Sequence, residues 1–348
     1  MDTIIEKVDP AHIDTDVMEQ AGKLIAEGEL VAFPTETVYG LGGDALDPDA
    51  SRRIYAAKGR PSDNPLIVHI ADFDDMKRVA REVPEQAKKL ADAFWPGPLT
   101  MIVWKSDAVP EATTGGMQTV AVRMPNHPVA LELIRRSGCL IAAPSANTSG
   151  RPSPTEAQHV AEDLSGKIAM ILDGGPVGIG IESTIIDLTE EKPMILRPGY
   201  ITPEMLSEVL QEEVVIDPGI IAADDTRKPK APGMKYKHYA PKAKAVIFSG
   251  APEHVVSAIC RRYDEQTAKG ERVAILGLDE HRYGDRTFIS LGSEKRPQEA
   301  AARLFAALRE LDERGDTVAL CEAVDTAGIG LAVMNRMGRA AAFDIEQV

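Results

Sequence analysis

Residues 48–70 read PDASRRIYAAKGRPSDNPLIVHI and hold a helix, a loop and a strand in succession. Pro48 directly follows Asp47, which is typical of a helix N-terminus, and the segment PDASRRIYAAK continues without a glycine until Gly59. The apolar run PLIVHI that follows the loop is typical of a buried strand. A helix that leads through a short loop into a buried strand predicts a fold of the α/β class.

The same alternation continues on both sides of this stretch. Apolar positions between residues 16 and 28 recur at helical spacing and lead into the strand-like LVAFPT. Residues 155–158 fit a capping box at the start of the helical segment TEAQHVAEDL. Further strands are predicted in WPGPLTMIVWK, TVAVRMP, CLIAAPSA, AMILDGG, STIIDLT and MILRPG. This alternation predicts an α/β domain in which helices flank a sheet.

The composition changes between residues 227 and 244. This stretch, RKPKAPGMKYKHYAPKAK, contains seven Lys or Arg, three Pro and no acidic residue, which predicts a linker rather than a helix. Strand-like and helical segments alternate again beyond it, so a smaller Rossmann-like α/β domain is predicted at the C-terminus. We therefore divide the chain into a first domain at 1–211, a linker at 212–243 and a second domain at 244–348.

Charge and composition restrict the function. The 348 residues include 54 acidic and 39 basic side chains, and only 5% are aromatic, which argues against binding along a nucleic-acid backbone. No apolar run is long enough to span a bilayer and the N-terminus lacks a signal sequence, so a cytoplasmic protein is predicted. The three cysteines are far apart and outside CxxC spacing, which favours core positions over a disulfide or zinc site.

Polar side chains follow the strand in FPTETVYGLGGDA, residues 33–45. Thr35, Glu36, Thr37 and Tyr39 lie where ligand sites of α/β sheets usually open, at the carboxyl end of a strand. The alternative is an ordinary turn between a strand and a loop. A second segment of this kind, APSANTSGRPSPT at residues 143–155, is either a plain loop or a site for an oxyanion or nucleotide.

Cationic side chains occur at three places where an anion could bind. Lys58 and Arg60 flank a glycine, and with the Asn64 amide they suit a phosphate, although a solvated basic turn would look the same. Arg123 and Arg197 each end an apolar strand, so each needs an anionic partner, either an internal acid or a bound carboxylate or phosphate. No Walker, HExxH or paired-cysteine motif is present, so a metal would arrive with a phosphate ligand.

Several of these segments together resemble the threonylcarbamoyl-AMP synthase family over residues 13–210. They are PTETVYGLGGDA, KGRPSDNPLIVHI, WPGPLTMIV, VAVRMP, APSANTSGRPSPT, IESTI and LRPG. The segment PGMKYKHYAPK and the domain after it resemble the longer, two-domain branch of the family. The resemblance implies a YrdC-like twisted mixed sheet with a large concave cleft.

The resemblance also implies an activity. ATP, L-threonine and bicarbonate would be converted to threonylcarbamoyl-AMP and pyrophosphate, a nucleotidyl transfer that supplies the threonylcarbamoyl modification of tRNA adenosine. Other proteins would then modify the tRNA, so stable tRNA binding by this chain is not required. Two alternatives remain open: a non-catalytic RNA-binding module, and a related enzyme that activates carbamoyl phosphate for metal-centre assembly, although the additional segments of such relatives are not evident.

Individual site residues follow from the resemblance as well. Lys58 and Arg60 would be the catalytic pair facing the triphosphate, and Mg²⁺ would be a cofactor held through the ATP phosphates rather than by protein ligands alone. Arg123 would clamp the threonine carboxylate, and the linker would act as a lid. The implied threonine contacts are Thr37, His69, Arg123, Ala143 and Ser183. The implied ATP contacts are Lys58, Arg60, Asn64, Thr119, Ser145, Ser153 and Arg197, with Tyr236 or Tyr239 from the linker.

Overall fold

The computed structural model describes residues 2–220 and 238–348 of the chain. The described residues form two compact units. The first unit contains residues 2–149, 153–178 and 182–220. The second contains residues 238–348 together with two short segments at 150–152 and 179–181.

The first unit is built on one mixed sheet, which runs in the order β1-β8-β2-β3-β7-β4-β6-β5-β9-β10-β11. Its strands are β1 (Ile4–Lys7), β2 (Val31–Phe33), β3 (Gly40–Asp44), β4 (Ile67–His69), β5 (Leu99–Trp104), β6 (Thr119–Arg123), β7 (Ile141–Ala142), β8 (Met170–Asp173), β9 (Thr184–Asp187), β10 (Met194–Arg197) and β11 (Val215–Ile216). Its helices are α1 (Thr15–Ala26), α2 (Pro48–Lys58), α3 (Met76–Val79), α4 (Glu85–Phe94), α5 (Glu111–Thr114), α6 (Pro128–Ser137), α7 (Ala157–Leu164) and α8 (Pro203–Leu210). Short 3-10 turns lie at Phe73–Asp75 and Pro218–Ile220.

Helix α2 and strand β4 occupy the positions predicted for them within residues 48–70. The Asp47 side chain accepts a hydrogen bond from the Asp49 N–H at the start of α2, and Pro48 occupies the first turn. Gly59 ends the helix with φ of 62°, a left-handed conformation that favours glycine. The chain therefore turns sharply between Lys58 and Arg60, because only the residue between them adopts this conformation.

The predicted capping box at residue 155 is wrong. Helix α7 begins at Ala157, its N-cap is Glu156, and no side chain caps it. The Thr155 N–H instead donates to His159 Nδ1 at 3.3 Å. A histidine one residue beyond the predicted partner can provide an acceptor that the sequence pattern does not anticipate.

The central strands of the first unit bury different residues on their two faces, because successive side chains of a strand point in opposite directions. Val68, Val122 and Met101 belong to the main core, which also contains helix residues. The opposite face carries a separate small cluster to which only strand residues contribute. Its buried members are Ile67, Ile102, Ala121, Ile185 and Leu196. Polar residues two positions along the same strands share this face, and they form the candidate site described below.

The second unit contains a five-stranded parallel sheet in the order β14-β13-β15-β12-β16. Its strands are β12 (Lys244–Ser249), β13 (Val273–Gly277), β14 (Phe288–Ser290), β15 (Val318–Glu322) and β16 (Ile345–Gln347). Its helices are α9 (Pro252–Ala268), α10 (Pro297–Arg314) and α11 (Gly330–Ala340). A large mixed sheet and a second, parallel sheet confirm the predicted α/β class.

Two further predictions bear on the described residues. Of the segment assigned to the linker, 212–243, residues 221–237 lie outside the described part, so the prediction of a lid falls largely outside it. All three cysteines are free thiols: Cys321 is buried, and Cys139 and Cys260 are half-buried. In the described part of the chain, no helix combines the length and apolar character needed to cross a membrane.

Candidate active site

Arg123 lies at the end of β6 and is almost completely buried, with 4% of its surface exposed. Its Nη1 donates to Thr37 Oγ1 at 3.0 Å, and its Nε donates to the Gly97 carbonyl at 3.3 Å. Its Nη2 lies 2.7 Å from Glu36 Oε1. The anionic partner that this arginine requires is therefore, in this structure, an internal acid.

Glu36 and Arg123 are close but poorly aligned. Three buried polar atoms of this pair make no hydrogen bond of good geometry within residues 2–220 and 238–348: both carboxylate oxygens of Glu36 and the Nη2 of Arg123. The short separation means that the two charges attract each other, and the poor alignment leaves hydrogen-bonding capacity unused. A buried ion pair loses its hydration, and only well-aligned hydrogen bonds compensate for that loss. This pair can therefore gain from a ligand that carries both charges.

Glu36 was a candidate by its position among the polar side chains of PTETVYG, but it was not among the threonine or ATP contacts that the family resemblance implies. Its partner becomes evident only in the fold, which brings the end of β6 to this loop. His127 is a neighbour of the same carboxylate. Burial lowers the pKa of His127, and the negative charge of Glu36 opposes that shift.

The predicted threonine contacts lie on adjacent strands. His69 at the end of β4 pairs with Arg123, and Arg123 pairs with Thr100 of β5. Thr100 Oγ1 lies 2.7 Å from Ser183 Oγ, just before β9. Ala143, directly after β7, donates its N–H to the Ile67 carbonyl at 2.9 Å. His69, Arg123 and Ser183 thus lie in one row with Thr100, which the sequence did not single out. Thr37 reaches Arg123 from the loop after β2, and Ala143 lies beside Ile67, two residues before His69.

His69 is a neutral imidazole in this row. Burial lowers the pKa of His69 to about 3, and the positive charge of Arg123 acts in the same direction. Its Nδ1 donates to the Ile67 carbonyl at 3.1 Å, so the proton lies on Nδ1 and Nε2 is left as an acceptor. A neutral acceptor beside a guanidinium can bind a hydroxyl or an N–H without adding charge.

In the His69→Asn variant, the free energy of unfolding is expected to fall less steeply as the pH is lowered than it does in the wild type. In the unfolded chain a histidine takes up a proton below about pH 6.5, whereas folded His69 does so only near pH 3. The stability that neutral His69 contributes is therefore fully present above pH 6.5 and decreases as the pH falls from 6.5 toward 3. The contribution of this group is at most about 1.4 kcal/mol per pH unit. Urea unfolding between pH 4 and pH 7 measures the slope. The exposed His12→Asn is the control, and equal slopes for His69→Asn and wild type would contradict the assignment.

The predicted phosphate-binding cations, Lys58 and Arg60, both donate to backbone carbonyls in this structure. Lys58 Nζ donates to the carbonyl oxygens of Ser145 and Asn147, and Ser145 Oγ donates to Asn147 Oδ1 at 2.5 Å. Arg60 Nη2 donates to the carbonyls of Asn64 and Pro65 at 3.3 and 3.1 Å. Lys58 at the end of α2 thus bonds the loop after β7, while Arg60 bonds carbonyls of its own loop, and a polyphosphate would exchange some of these contacts for its own.

The other predicted ATP contacts are distributed around this row. Arg197 donates from Nε to the Ser183 carbonyl at 3.0 Å and from Nη2 to Ser183 Oγ at 3.1 Å, so it joins the row at the threonine side. Ser153 Oγ donates to Glu182 Oε1 at 2.6 Å. Thr119 begins β6, four residues before Arg123 and therefore about 13 Å away on the same face.

Of the two linker tyrosines, Tyr239 is among the described residues. Tyr239 belongs to the second unit, where its ring is 5.0 Å from that of Phe305 and 6.0 Å from the Arg336 guanidinium. Tyr236 lies outside the described residues. Within the described ranges, no cluster of three or more His, Cys, Asp or Glu side chains has the arrangement of a metal site.

Comparison with known proteins identifies the family. The family model described as telomere recombination, Sua5, YciO and YrdC, matches residues 23–199, and the threonylcarbamoyl-AMP synthase C-terminal domain matches residues 201–342. A threonylcarbamoyl-AMP synthase from Pyrococcus abyssi is 50% identical over 329 residues, which cover 94% of this chain and 95% of that protein. The chain belongs to the threonylcarbamoyl-AMP synthase family. Its predicted place in the two-domain branch is thereby confirmed.

Other members of the threonylcarbamoyl-AMP synthase family match over similar lengths. The Bacillus subtilis synthase is 47% identical over 340 residues, which cover 97% of this chain and 96% of that protein. The crystal structure of P. abyssi Sua5 complexed with L-threonine has a TM-score of 0.95 and 48% identity, and it covers 99% of this chain and 100% of that one. These synthase relatives support an enzyme of the transferase type.

Proposed function

We propose that the protein is an L-threonylcarbamoyladenylate synthase, a nucleotidyltransferase that makes threonylcarbamoyl-AMP and pyrophosphate from ATP, L-threonine and bicarbonate. The observation that carries this proposal is the buried, poorly aligned Arg123–Glu36 pair beside Thr37. Its support is the relationship to P. abyssi Sua5, whose crystal structure contains L-threonine. The comparisons give no support to the alternative of a non-catalytic RNA-binding module.

The zwitterion of an amino acid fits this pair. Its carboxylate would accept two parallel hydrogen bonds from Arg123, and its ammonium would donate to Glu36, so each buried charge gains the aligned partner that it lacks. The threonine hydroxyl would then lie near Thr37, His69 and Ser183, which offer donors and acceptors from three different elements. The Ala143 methyl group would close the side of the pocket. Threonine recognition thus follows from one exchange of partners.

The reaction requires a neutral amine. Bicarbonate takes up a proton and one of its C–O bonds breaks, which releases water and carbon dioxide. When the threonine ammonium gives up a proton, the nitrogen lone pair forms an N–C bond to carbon dioxide as one C=O π bond becomes a C–O⁻, and loss of a second nitrogen proton to solvent leaves the carbamate. A carbamate oxygen then attacks the α-phosphorus of ATP, the bond to the pyrophosphate oxygen breaks, and pyrophosphate leaves. We assign Glu36 as the base that accepts the ammonium proton, because it is the carboxylate that faces Arg123.

The phosphate side of the site is cationic. Lys58 and Arg60, with Asn64, Thr119, Ser145, Ser153 and Arg197, would hold ATP, and Lys58 and Arg60 would neutralise charge that develops on the triphosphate. Mg²⁺ would enter with the triphosphate, since the described residues contain no cluster of three or more His, Cys, Asp or Glu side chains that could hold it, and it would supply further neutralisation of phosphate charge. The linker tyrosines Tyr236 and Tyr239 remain proposed ATP contacts.

The product would be passed to the machinery that transfers the threonylcarbamoyl group to tRNA, in the cytoplasm. This chain needs no stable tRNA contact for its own step, and a net charge of −15 opposes such contact. Incubation with ATP, L-threonine and bicarbonate should release pyrophosphate and yield the adenylate, detected by mass spectrometry. Pyrophosphate release that does not depend on threonine would refute the proposal.

Glu36→Gln is expected to lower kcat/KM for threonine by about 10²-fold, with a small change in KM for ATP. The amide keeps the size of the side chain but loses both the charge that attracts the ammonium and the ability to accept its proton. Pyrophosphate release at varied threonine concentration measures the effect. The matched control is Glu29→Gln at a largely exposed ion pair with Arg53, which should leave kcat/KM unchanged. Equal kcat/KM in Glu36→Gln and wild type would exclude the base assignment.

A further inference from the structure

The second unit contains a cavity of about 480 Å³ at the carboxyl ends of its parallel strands. Its walls include Phe248 and Ser249 from β12, Leu278 after β13 and Glu322 at the end of β15. Ligands of open parallel sheets bind at this edge, and the volume lies in the usual range of ligand sites, about 300–1,000 Å³. The proposed synthase reaction assigns no role to this cavity.

A buried carboxylate forms part of the cavity wall. Glu322 is 3% exposed, and its Oε2 accepts hydrogen bonds from the Leu278 N–H and the Tyr283 hydroxyl, both at 2.9 Å. His281 Nδ1 makes a short contact with Oε1. Both oxygens of Glu322 therefore have partners within the second unit. Burial and the negative charge of Glu322 raise the pKa of Tyr283, so this hydroxyl remains a donor at neutral pH.

The space around this carboxylate depends on Gly277. A Cβ at this position would lie 2.8 Å from Glu322 Oε2 and 3.0 Å from the Tyr283 hydroxyl oxygen, so a larger residue would displace both. The Nδ1 atom of His281 contacts Glu322, so this imidazole is held against the carboxylate. His281 also lines the cavity.

The cavity is negative and partly apolar. Two exposed acids, Glu294 and Asp325, stand with Glu322 among its lining residues, and the described lining residues include no Lys or Arg. A phosphate, the usual ligand at this edge of such sheets, would meet uncompensated negative charge. Pro252, Val255 and Val324 supply apolar wall. The lining therefore combines acceptors and negative charge with a surface for a hydrocarbon group.

We propose that this cavity binds a small organic ammonium ion with an apolar body. The ammonium lies among Glu322, Glu294 and Asp325, which balance its charge, while the apolar body packs on Val255 and Leu278. The site lies within the second unit and does not depend on the synthase reaction. It gives this domain a binding role of its own.

Three probes of similar size test the proposal on the full chain: 2-phenylethylamine, 2-phenylethanol and phenylacetate. Titrations followed by methyl NMR of Val255, Leu278 and Val324 report binding at the cavity. We expect the amine to bind with a Kd at least about tenfold lower than the alcohol, a difference of about 1.4 kcal/mol, and the carboxylate to cause no shifts. Equal binding of amine and alcohol, or no shift of these methyls with the amine, overturns the proposal.

Rim variants avoid the folding risk of changing Glu322. Glu294→Gln and Asp325→Asn should each raise the Kd of the amine by about threefold and leave that of the alcohol unchanged, because both acids are exposed and contribute only charge. Glu313→Gln, an exposed acid of the same unit outside the lining, is the matched control. Ala323→Phe should fill the cavity and abolish binding of both the amine and the alcohol. If the rim variants behave as Glu313→Gln does, the charge argument fails.

Discussion

Arg123→Ala should lower kcat/KM for threonine by about 10²- to 10³-fold while KM for ATP changes little. The expected loss corresponds to truncation of one partner in the buried, hydrogen-bonded charge pair that Arg123 would make with the threonine carboxylate, which costs about 2–5 kcal/mol. Arg123 also lies 2.7 Å from Glu36 and donates to Thr37, so its removal takes away the group that orients a neighbouring hydroxyl as well. Pyrophosphate release measured against threonine and ATP separately gives the two parameters.

A second variant separates binding from folding. Arg123→Ala leaves the Glu36 carboxylate buried without its cation, which should lower the free energy of unfolding by about 3–5 kcal/mol. Combining it with Glu36→Gln removes the unpaired charge, so stability should return in part while threonine turnover does not. The exposed Arg135→Ala on α6 is the control for loss of an arginine. A defect confined to ATP would refute the clamp.

Arg60→Ala and Lys58→Ala should each lower kcat by about 10²- to 10³-fold at saturating threonine, the usual effect of removing one preorganised donor from developing negative charge. Their effects on folding should differ. Lys58 is 2% exposed and donates to the carbonyls of Ser145 and Asn147, so its removal should also cost about 1–3 kcal/mol of stability. Arg60 is only half-buried, and its loss should leave the unfolding free energy nearly unchanged.

The control for these two variants lies on the same helix. Arg52 of α2 is exposed and pairs with Asp49, so Arg52→Ala removes a cation near the site without removing a proposed phosphate contact. Its turnover should match wild type within about twofold. Initial rates at varied ATP, together with thermal unfolding, distinguish the outcomes. If Arg60→Ala is as active as Arg52→Ala, the cation pair does not serve the triphosphate.

Local sequence determined the elements that position the site. Asp47, Pro48 and Gly59 act within a few residues of the ends of α2, so a cap, a first-turn proline and a left-handed glycine could be read directly. The same local logic failed at Thr155, because His159 offered a competing acceptor. The family resemblance supplied Thr37, His69, Arg123 and Ser183 as a set, but their spacing along the chain gives no reason for them to meet.

Tertiary structure alone decided how these side chains are paired and charged. Glu36 and Arg123 are 2.7 Å apart because the loop after β2 and the end of β6 reach the same place, and the neutral state of His69 follows from burial beside that arginine. In the second unit, Glu322 meets His281 because parallel pairing brings the carboxyl ends of β13 and β15 together. Sequence by itself determined the helices, strands and family of this protein. Partners and protonation states depend on long-range register and burial, which no local pattern encodes.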